Sequence, residues 1–130
     1  MKHSQGFTVI EVIVVTLFLG VATTVLFMQK NDVAAVHRDN QRKTSINAMH
    51  YSLEEVYFAK NKSYPVEITD TTLGSLDSAF MTDPDGKKIG DKDSDYRYEG
   101  SNCTNNACRS YRLRADLEKE ADFVKTNRNN

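Results

Sequence analysis

The sequence predicts an α+β fold in which one long N-terminal helix packs on a small antiparallel sheet. Residues 7–28 form an apolar run, and apolar residues then recur at spacings of three and four as far as Tyr57. Apolar and polar residues alternate in 95–99 and 110–117, which is typical of strands that bury one face. These patterns together indicate a helix followed by a sheet.

The apolar run is long enough to cross a membrane. Its 22 residues carry one charge and would form a helix of about 33 Å, whereas a bilayer core is about 30 Å thick. Lys2 and His3 precede it without any acid, which favours a cytoplasmic N-terminus. The run is too long for a secretory signal, and no clean small-residue cleavage site follows it. We therefore expect a single-pass anchor.

The one charge in this run is Glu11, and it needs an explanation. A carboxylate inside a membrane helix costs about 2 to 3 kcal/mol. Two interpretations are open. The side chain can reach the nearby membrane interface, or it can meet an opposite charge.

The order of residues at the start of the run resembles the class III leader of type IV prepilins and type II secretion pseudopilins. The matching residues are Lys2, Gly6, Phe7, Thr8 and Glu11, followed by unbroken aliphatic residues. The resemblance implies that a prepilin peptidase cuts between Gly6 and Phe7 and methylates the new amine of Phe7. It also implies that Glu11 pairs with that amine on a neighbouring subunit and sets the register of a filament.

The same resemblance implies a pilin-like fold and a structural role without catalysis. The chain would be a precursor in the cytoplasmic membrane and then a subunit of an extracellular homopolymer, extruded by an inner-membrane platform and an assembly ATPase. Filaments of this kind serve motility, adhesion or DNA uptake. Two alternatives stay open: a type II secretion pseudopilin, and a membrane-anchored extracellular binding module that does not polymerise.

The expected organisation has four parts. The helix is predicted over residues 8–60, and the NKSYP segment ending at Pro65 stops it. Gly20 marks either local unwinding in a filament or close packing of helices, and Met28 stands where stretching pilins often carry a proline. The parts are the leader (1–6), the membrane and assembly half of the helix (7–28), its amphipathic half (29–62) and the head (63–130).

The charged and titratable side chains of the second helical half are expected to be solvated or packed. The charged stretch 38–43 is expected to form a solvated helix face. His37 and His50 lie 13 residues apart without other ligands at metal-binding spacing, so solvated or packed histidines are expected.

The loop after the helix is rich in aspartate. Asp83, Asp85, Asp91 and Asp93 could hold Ca²⁺. The major pseudopilins whose leader this sequence resembles bind calcium in a comparable region. No glutamate closes an EF-hand, and nearby lysines offset the charge. A D-P-D-G turn and a solvated loop are therefore the simpler interpretation, and no cofactor is expected otherwise. A short helix is expected over 75–81.

The sheet region carries the only two cysteines. Cys103 and Cys108 lie between two predicted strands, and outside the membrane they are expected to form a disulfide across a tight hairpin. A third strand is predicted over 121–125.

The remaining composition excludes several functions. The net charge of −1 gives no overall basic surface for nucleic acid. Arg112 and Arg114 share one strand face, which leaves DNA binding by a minor pilin open. The sequence contains no phosphate loop, no Ser/His/Asp arrangement and no paired carboxylates in a defined pocket, so an enzyme is not expected.

Overall fold

The structure is a computed structural model that describes residues 6–128. It confirms the α+β class, with one long N-terminal helical region followed by a three-stranded antiparallel sheet in the order β1-β2-β3. The elements are α1 (Val9–Tyr51), a π-helical segment (Ser52–Tyr57), α2 (Phe58–Asn61), a 3₁₀ helix (Ser78–Met81), β1 (Tyr96–Thr104), β2 (Ala107–Ala115) and β3 (Phe123–Thr126).

The predicted helix over 8–60 agrees with the observed helical region, except that six residues of it are π-helical. The N–H of Phe58 donates to the carbonyl of Leu53, five residues earlier, which is the π-helical pattern. The helix ends at Lys62, whose left-handed conformation (φ 56°) caps the last turn, while its N–H donates to Phe58 O at 2.8 Å. Pro65 follows shortly after this cap, as predicted.

The chain divides into two compact units, residues 1–35 and 36–130. In the first unit, the apolar side chains of α1 from Val9 to Met28 are exposed. The helix is long and apolar enough to cross a membrane. Its most apolar 18-residue window has a mean hydropathy of 2.5, and none of that window is buried. The predicted boundaries at residues 28 and 62 concern membrane embedding and helix length, which are different properties from compactness. They stay predictions.

The second unit contains the core. Ile46, Met49 and Leu53 of the helical region are fully buried in one cluster with Tyr111 and Leu113 of β2. Arg112, between the last two, is exposed, so the predicted faces of this strand are confirmed.

Asn105 and Asn106 connect β1 and β2 with φ values of 51° and 62°. Two left-handed residues form the tight hairpin turn whose twist matches the strands. The chain between Pro65 and β1 is largely irregular, as predicted, and the short helix expected over 75–81 is confined to Ser78–Met81.

Candidate functional site

The bond between Gly6 and Phe7 lies just before the first turn of α1. Gly6, Phe7 and Thr8 are exposed and not helical, and α1 begins at Val9. A peptide bond outside regular structure is open to a peptidase, because its backbone is not tied into a helix. The remaining leader residues, including Lys2, lie outside the described residues.

Thr8 caps the helix. Its hydroxyl accepts the N–H of Glu11 at 3.4 Å, and its carbonyl accepts the N–H of Val12 at 3.2 Å. Thr8 and Glu11 have the spacing of a capping box, in which a threonine and a glutamate three residues later begin a helix. This Thr-x-x-Glu pattern before an apolar run is a sequence signal for the start of the helix.

Glu11 is the acidic residue of the first helical turn. Its side chain is exposed, and within the described residues it forms no ion pair. The helix dipole favours a negative charge at this end, which explains the position of the acid but does not neutralise it. Among residues 6–128, this carboxylate therefore has no ion pair, and it lies at the start of an exposed apolar segment, residues 9–28.

Gly20 lies on a shallow groove of the same helix. The groove has a volume of about 410 Å³ and is lined by Ile13, Thr16, Leu17, Gly20, Val21 and Thr24. A methyl group added at Gly20 would meet nothing within 4 Å, and the helix is continuous there. The hydroxyl of Thr24 donates to the carbonyl of Gly20 at 2.8 Å, so the polar group is satisfied within the helix. Small residues spaced by four allow a second helix to approach closely.

The predicted disulfide between Cys103 and Cys108 is present, and the two residues lie directly opposite each other in the β1–β2 hairpin. Cys108 also exchanges two backbone hydrogen bonds of 2.8 Å with Tyr64, in the segment after the helix. The disulfide hairpin is thereby fastened to the C-terminal end of the helical region.

The aspartate loop is organised by its own backbone. The carboxylate of the buried Asp83 accepts N–H groups from Asp85 (3.0 Å), Lys87 (2.8 Å) and Asp95 (3.0 Å). Burial alone would raise the pKa of Asp83, but these backbone donors lower it overall.

The four predicted calcium ligands are not brought together. Asp85 and Asp93 are exposed, and Asp91 accepts the N–H of Lys88 at 2.9 Å. Within residues 6–128, no group of three or more His, Cys, Asp or Glu side chains is placed to hold a metal ion. The arrangement therefore adds no support to a calcium site, which stays a prediction from the sequence.

The expectation of a solvated face at 38–43 is wrong for two residues. Asp39 and Arg42 are buried, at 2% and 3% exposure. The guanidinium of Arg42 contacts Asp39 (2.9 Å), Asp95 (2.7 Å) and Glu118 (2.7 Å). The reason is the segment after β2, which covers this face of the helix and supplies Glu118.

The charges of this cluster stabilise each other. Burial would raise the pKa of Asp39, but the backbone N–H groups of Glu118 and Lys119 and the side chain of Arg42 lower it overall. Hydrogen bonds from Arg38 and then Arg42 lower the pKa of Glu118 to about 2. Asp39 and Glu118 are therefore ionised at neutral pH.

A second buried polar cluster surrounds Glu54, which lies in the π-helical segment. Its carboxylate accepts hydrogen bonds from the hydroxyls of Tyr111 (2.8 Å) and Tyr64 (3.1 Å) and from the N–H of Arg128 (3.2 Å). Nδ1 of His50 lies 2.7 Å from the hydroxyl of Tyr111, and burial lowers the pKa of this histidine. His50 is thus a packed histidine, as predicted.

The chain matches no family model, and no curated protein or solved structure is significantly similar to it. The geometry of the described residues is therefore the basis for assigning a function.

Proposed function

We propose that the chain is a structural subunit of a type IV pilus-like filament. The observation that carries this proposal is that Glu11 forms no ion pair to the described residues and lies in the first turn of α1, where the apolar side chains of residues 9–28 are exposed. A helical segment that buries none of its apolar surface within the chain is stabilised only by lipid or by other helices. Glu11 adds a requirement for a positive partner.

Cleavage between Gly6 and Phe7 supplies that partner. It converts the N–H of Phe7 into a charged amine four residues, or about one helical turn, before Glu11. In a filament, the amine of one subunit and the carboxylate of its neighbour neutralise each other away from water. Register follows, because any other register leaves a buried charge unpaired, which is strongly unfavourable.

The groove at Gly20 supports the same proposal. It offers a place where a neighbouring helix approaches the backbone closely, and the hydroxyl of Thr24 is already satisfied within its own helix. The subunit would be inserted in the cytoplasmic membrane with its N-terminus inside. A prepilin peptidase would process it, and an inner-membrane platform with an ATPase would extrude it as an extracellular polymer. It would catalyse no reaction and need no cofactor.

A pseudopilin of a type II secretion system is the alternative within the same family. A pilus subunit and a pseudopilin would share the processing site and the pairing of Glu11 that sets the register. They would differ in the role of the filament. A membrane-anchored binding module that does not polymerise would have neither the processing site nor the pairing.

Mass analysis of the N-terminus tests the processing step. The full chain is co-expressed with a prepilin peptidase, and Gly6→Val serves as the matched control because a bulky residue blocks the cut. We expect loss of residues 1–6 and a methylated Phe7 in the parent and an intact leader in the control. An intact leader in the parent would contradict the proposal.

A further inference from the structure

Three arginines meet on the outward face of the sheet. Arg97 of β1 and Arg112 and Arg114 of β2 line one surface cavity of about 30 Å³, together with Glu99. We call these three residues the arginine face. The sequence indicates that Arg112 and Arg114 share a face, but Arg97 joins them only through the register of the two strands.

That register places like charges opposite each other. Arg97 is the direct partner of Arg114, and Arg112 is the direct partner of Glu99. Side chains of directly opposed residues on an antiparallel pair are about 5 Å apart at Cβ, and like charges there destabilise the sheet. The pairing of Arg97 with Arg114 is therefore unfavourable unless something negative lies between them.

Among the described residues, carboxylates form ion pairs with only one of the three arginines. Within the described residues, Arg97 and Arg112 form no ion pair, and Glu99 does not bridge to Arg112 although it lies opposite. Arg114 has Asp116 and Asp122 near it, but at 3.4 and 3.5 Å, which is long for a charged hydrogen bond.

Arg97 is held in place by backbone carbonyls. Its Nη1 donates to the carbonyls of Ser94 and Tyr96, and its Nη2 donates to that of Lys92 at 3.1 Å. These acceptors leave its Nε and one Nη2 hydrogen free and do not cancel its charge. Arg112 makes no hydrogen bond or ion pair to the described residues, so its whole guanidinium is available.

We propose that the arginine face binds a tetrahedral oxyanion, a phosphate or sulfate group, between Arg97, Arg112 and Arg114. Arginine presents planar pairs of N–H donors that match such oxygens, and one arginine is already fixed by the backbone. The bound anion would relieve the repulsion between Arg97 and Arg114. Glu99 lines the same cavity and would repel an extended polyanion, so a single oxyanion group fits this site better.

The bound oxyanion could be free phosphate or the phosphate group of a phosphodiester.

The site belongs to the second unit and needs neither processing nor polymerisation. Its failure would therefore leave the proposed filament function untouched, and failure of the filament function would leave this site untouched.

The test uses the full unassembled chain in neutral detergent micelles at low salt. Inorganic phosphate is titrated calorimetrically and by the melting temperature of the head, with sodium chloride of equal ionic strength as the blank. The variants are Arg112→Gln, which removes a side chain without structural partners, and Glu99→Gln. The matched control is Arg109→Gln, an exposed arginine of the same strand outside the cavity.

We expect saturable phosphate binding that raises the melting temperature. Arg112→Gln should weaken binding about tenfold, since it removes a charge-assisted contact, while Arg109→Gln should stay within about twofold of the parent. Glu99→Gln should tighten binding because it removes a repelling carboxylate. No saturable binding, or an equal loss in Arg109→Gln and Arg112→Gln, would overturn the proposal.

A short single-stranded oligonucleotide distinguishes the two sources. Displacement of bound phosphate by the oligonucleotide would show that the site accepts a phosphodiester. Phosphate binding that the oligonucleotide does not displace would identify the free anion as the ligand. Both results support an oxyanion site.

Discussion

The carboxylate of Asp39 and the guanidinium of Arg42 lie 2.9 Å apart, one turn from each other on α1, with side chains that are only 3% and 4% exposed. Asp39 also accepts the N–H groups of Glu118 and Lys119, both at 2.9 Å. The pair therefore fastens the segment after β2 to the helix. It connects two parts of the second unit that are some 80 residues apart in sequence.

Replacing Arg42 by glutamine should destabilise the head strongly. The change leaves the buried Asp39 without its cation, and breaking a buried pair in this way costs about 3 to 5 kcal/mol. Urea unfolding of the full chain in micelles measures it, followed by near-ultraviolet circular dichroism. All six tyrosines lie in the second unit, so this signal reports the folding of that unit.

The matched control for this change is Lys43→Gln, at the next position of the helix. Lys43 pairs with Glu120 at 2.6 Å, but that carboxylate is 61% exposed. An exposed pair is worth only about 0 to 1 kcal/mol. Equal losses in Arg42→Gln and Lys43→Gln would contradict the role given to the buried pair.

The ion cluster also predicts the response to acid. The pKa of Glu118 is lowered to about 2 from its ordinary 4.5, and that of Asp39 is lowered too. An acid whose pKa is depressed by folding stabilises the native state above its unfolded pKa, and this stabilisation is lost as the pH falls towards the folded value. We expect the melting temperature of the head to fall between pH 4.5 and pH 2.

Measuring the melting temperature against pH in both the parent and Arg42→Gln shows whether Asp39 and Glu118 cause this acid sensitivity. Without the guanidinium, the two carboxyls lose part of the interaction that lowers their pKa values, so the slope of stability against pH should be shallower. A slope identical to that of the parent would show that other carboxylates, such as Asp83, account for the loss.

Gly100 should tolerate no side chain while the disulfide is present. A Cβ there would lie 2.7 Å from Sγ of Cys108 and 3.2 Å from the carbonyl of Pro65. Overpacking of this kind costs about 1 to 3 kcal/mol. We expect Gly100→Ala to lower the melting temperature of the head.

Removing the disulfide changes that result in a specific way. The double variant Cys103→Ser, Cys108→Ser should itself cost about 2 kcal/mol, because the closed loop is short. Gly100→Ala should cost less in this background, since the sulfur atom it contacts is gone. Strictly additive costs would show that the contact with the sulfur is not the cause.

Local patterns were sufficient to predict the main elements. The helical period of apolar residues predicts the helix as far as residue 60, and the alternation around Leu113 predicts which face of the strand is buried. Two cysteines beside a tight turn indicate the disulfide. Each of these signals lies within a short stretch of chain, where sequence and structure are directly related.

The buried charges could not be predicted in the same way. The charged pattern around Asp39 and Arg42 predicts a solvated face. Their partner Glu118 lies about 76 to 79 residues further along the chain, so no local pattern indicates that they are buried. The apolar spacing of three and four, which extends to Tyr57, does not distinguish the π-helical segment from an α-helix. The burial of Glu54 depends on tyrosines from two other segments. The cap at Thr8, in contrast, was readable from the sequence.

Glu11→Gln tests whether the charge of Glu11 sets the filament register. The variant carries no charge to pair with the amine of Phe7, whereas the backbone N–H at position 11 still donates to the hydroxyl of Thr8. Glu11→Ala removes the polar side chain as well as the charge and provides the second comparison. Membrane insertion of each variant, measured by fractionation, is the control.

The measurement is electron microscopy of sheared surface fractions, labelled with an antibody to the head. We predict abundant labelled filaments for the parent and few or none for both Glu11→Gln and Glu11→Ala, with membrane insertion unchanged. A parental filament yield from Glu11→Gln would contradict the register role of Glu11, because it would show that the carboxylate charge is not needed for assembly.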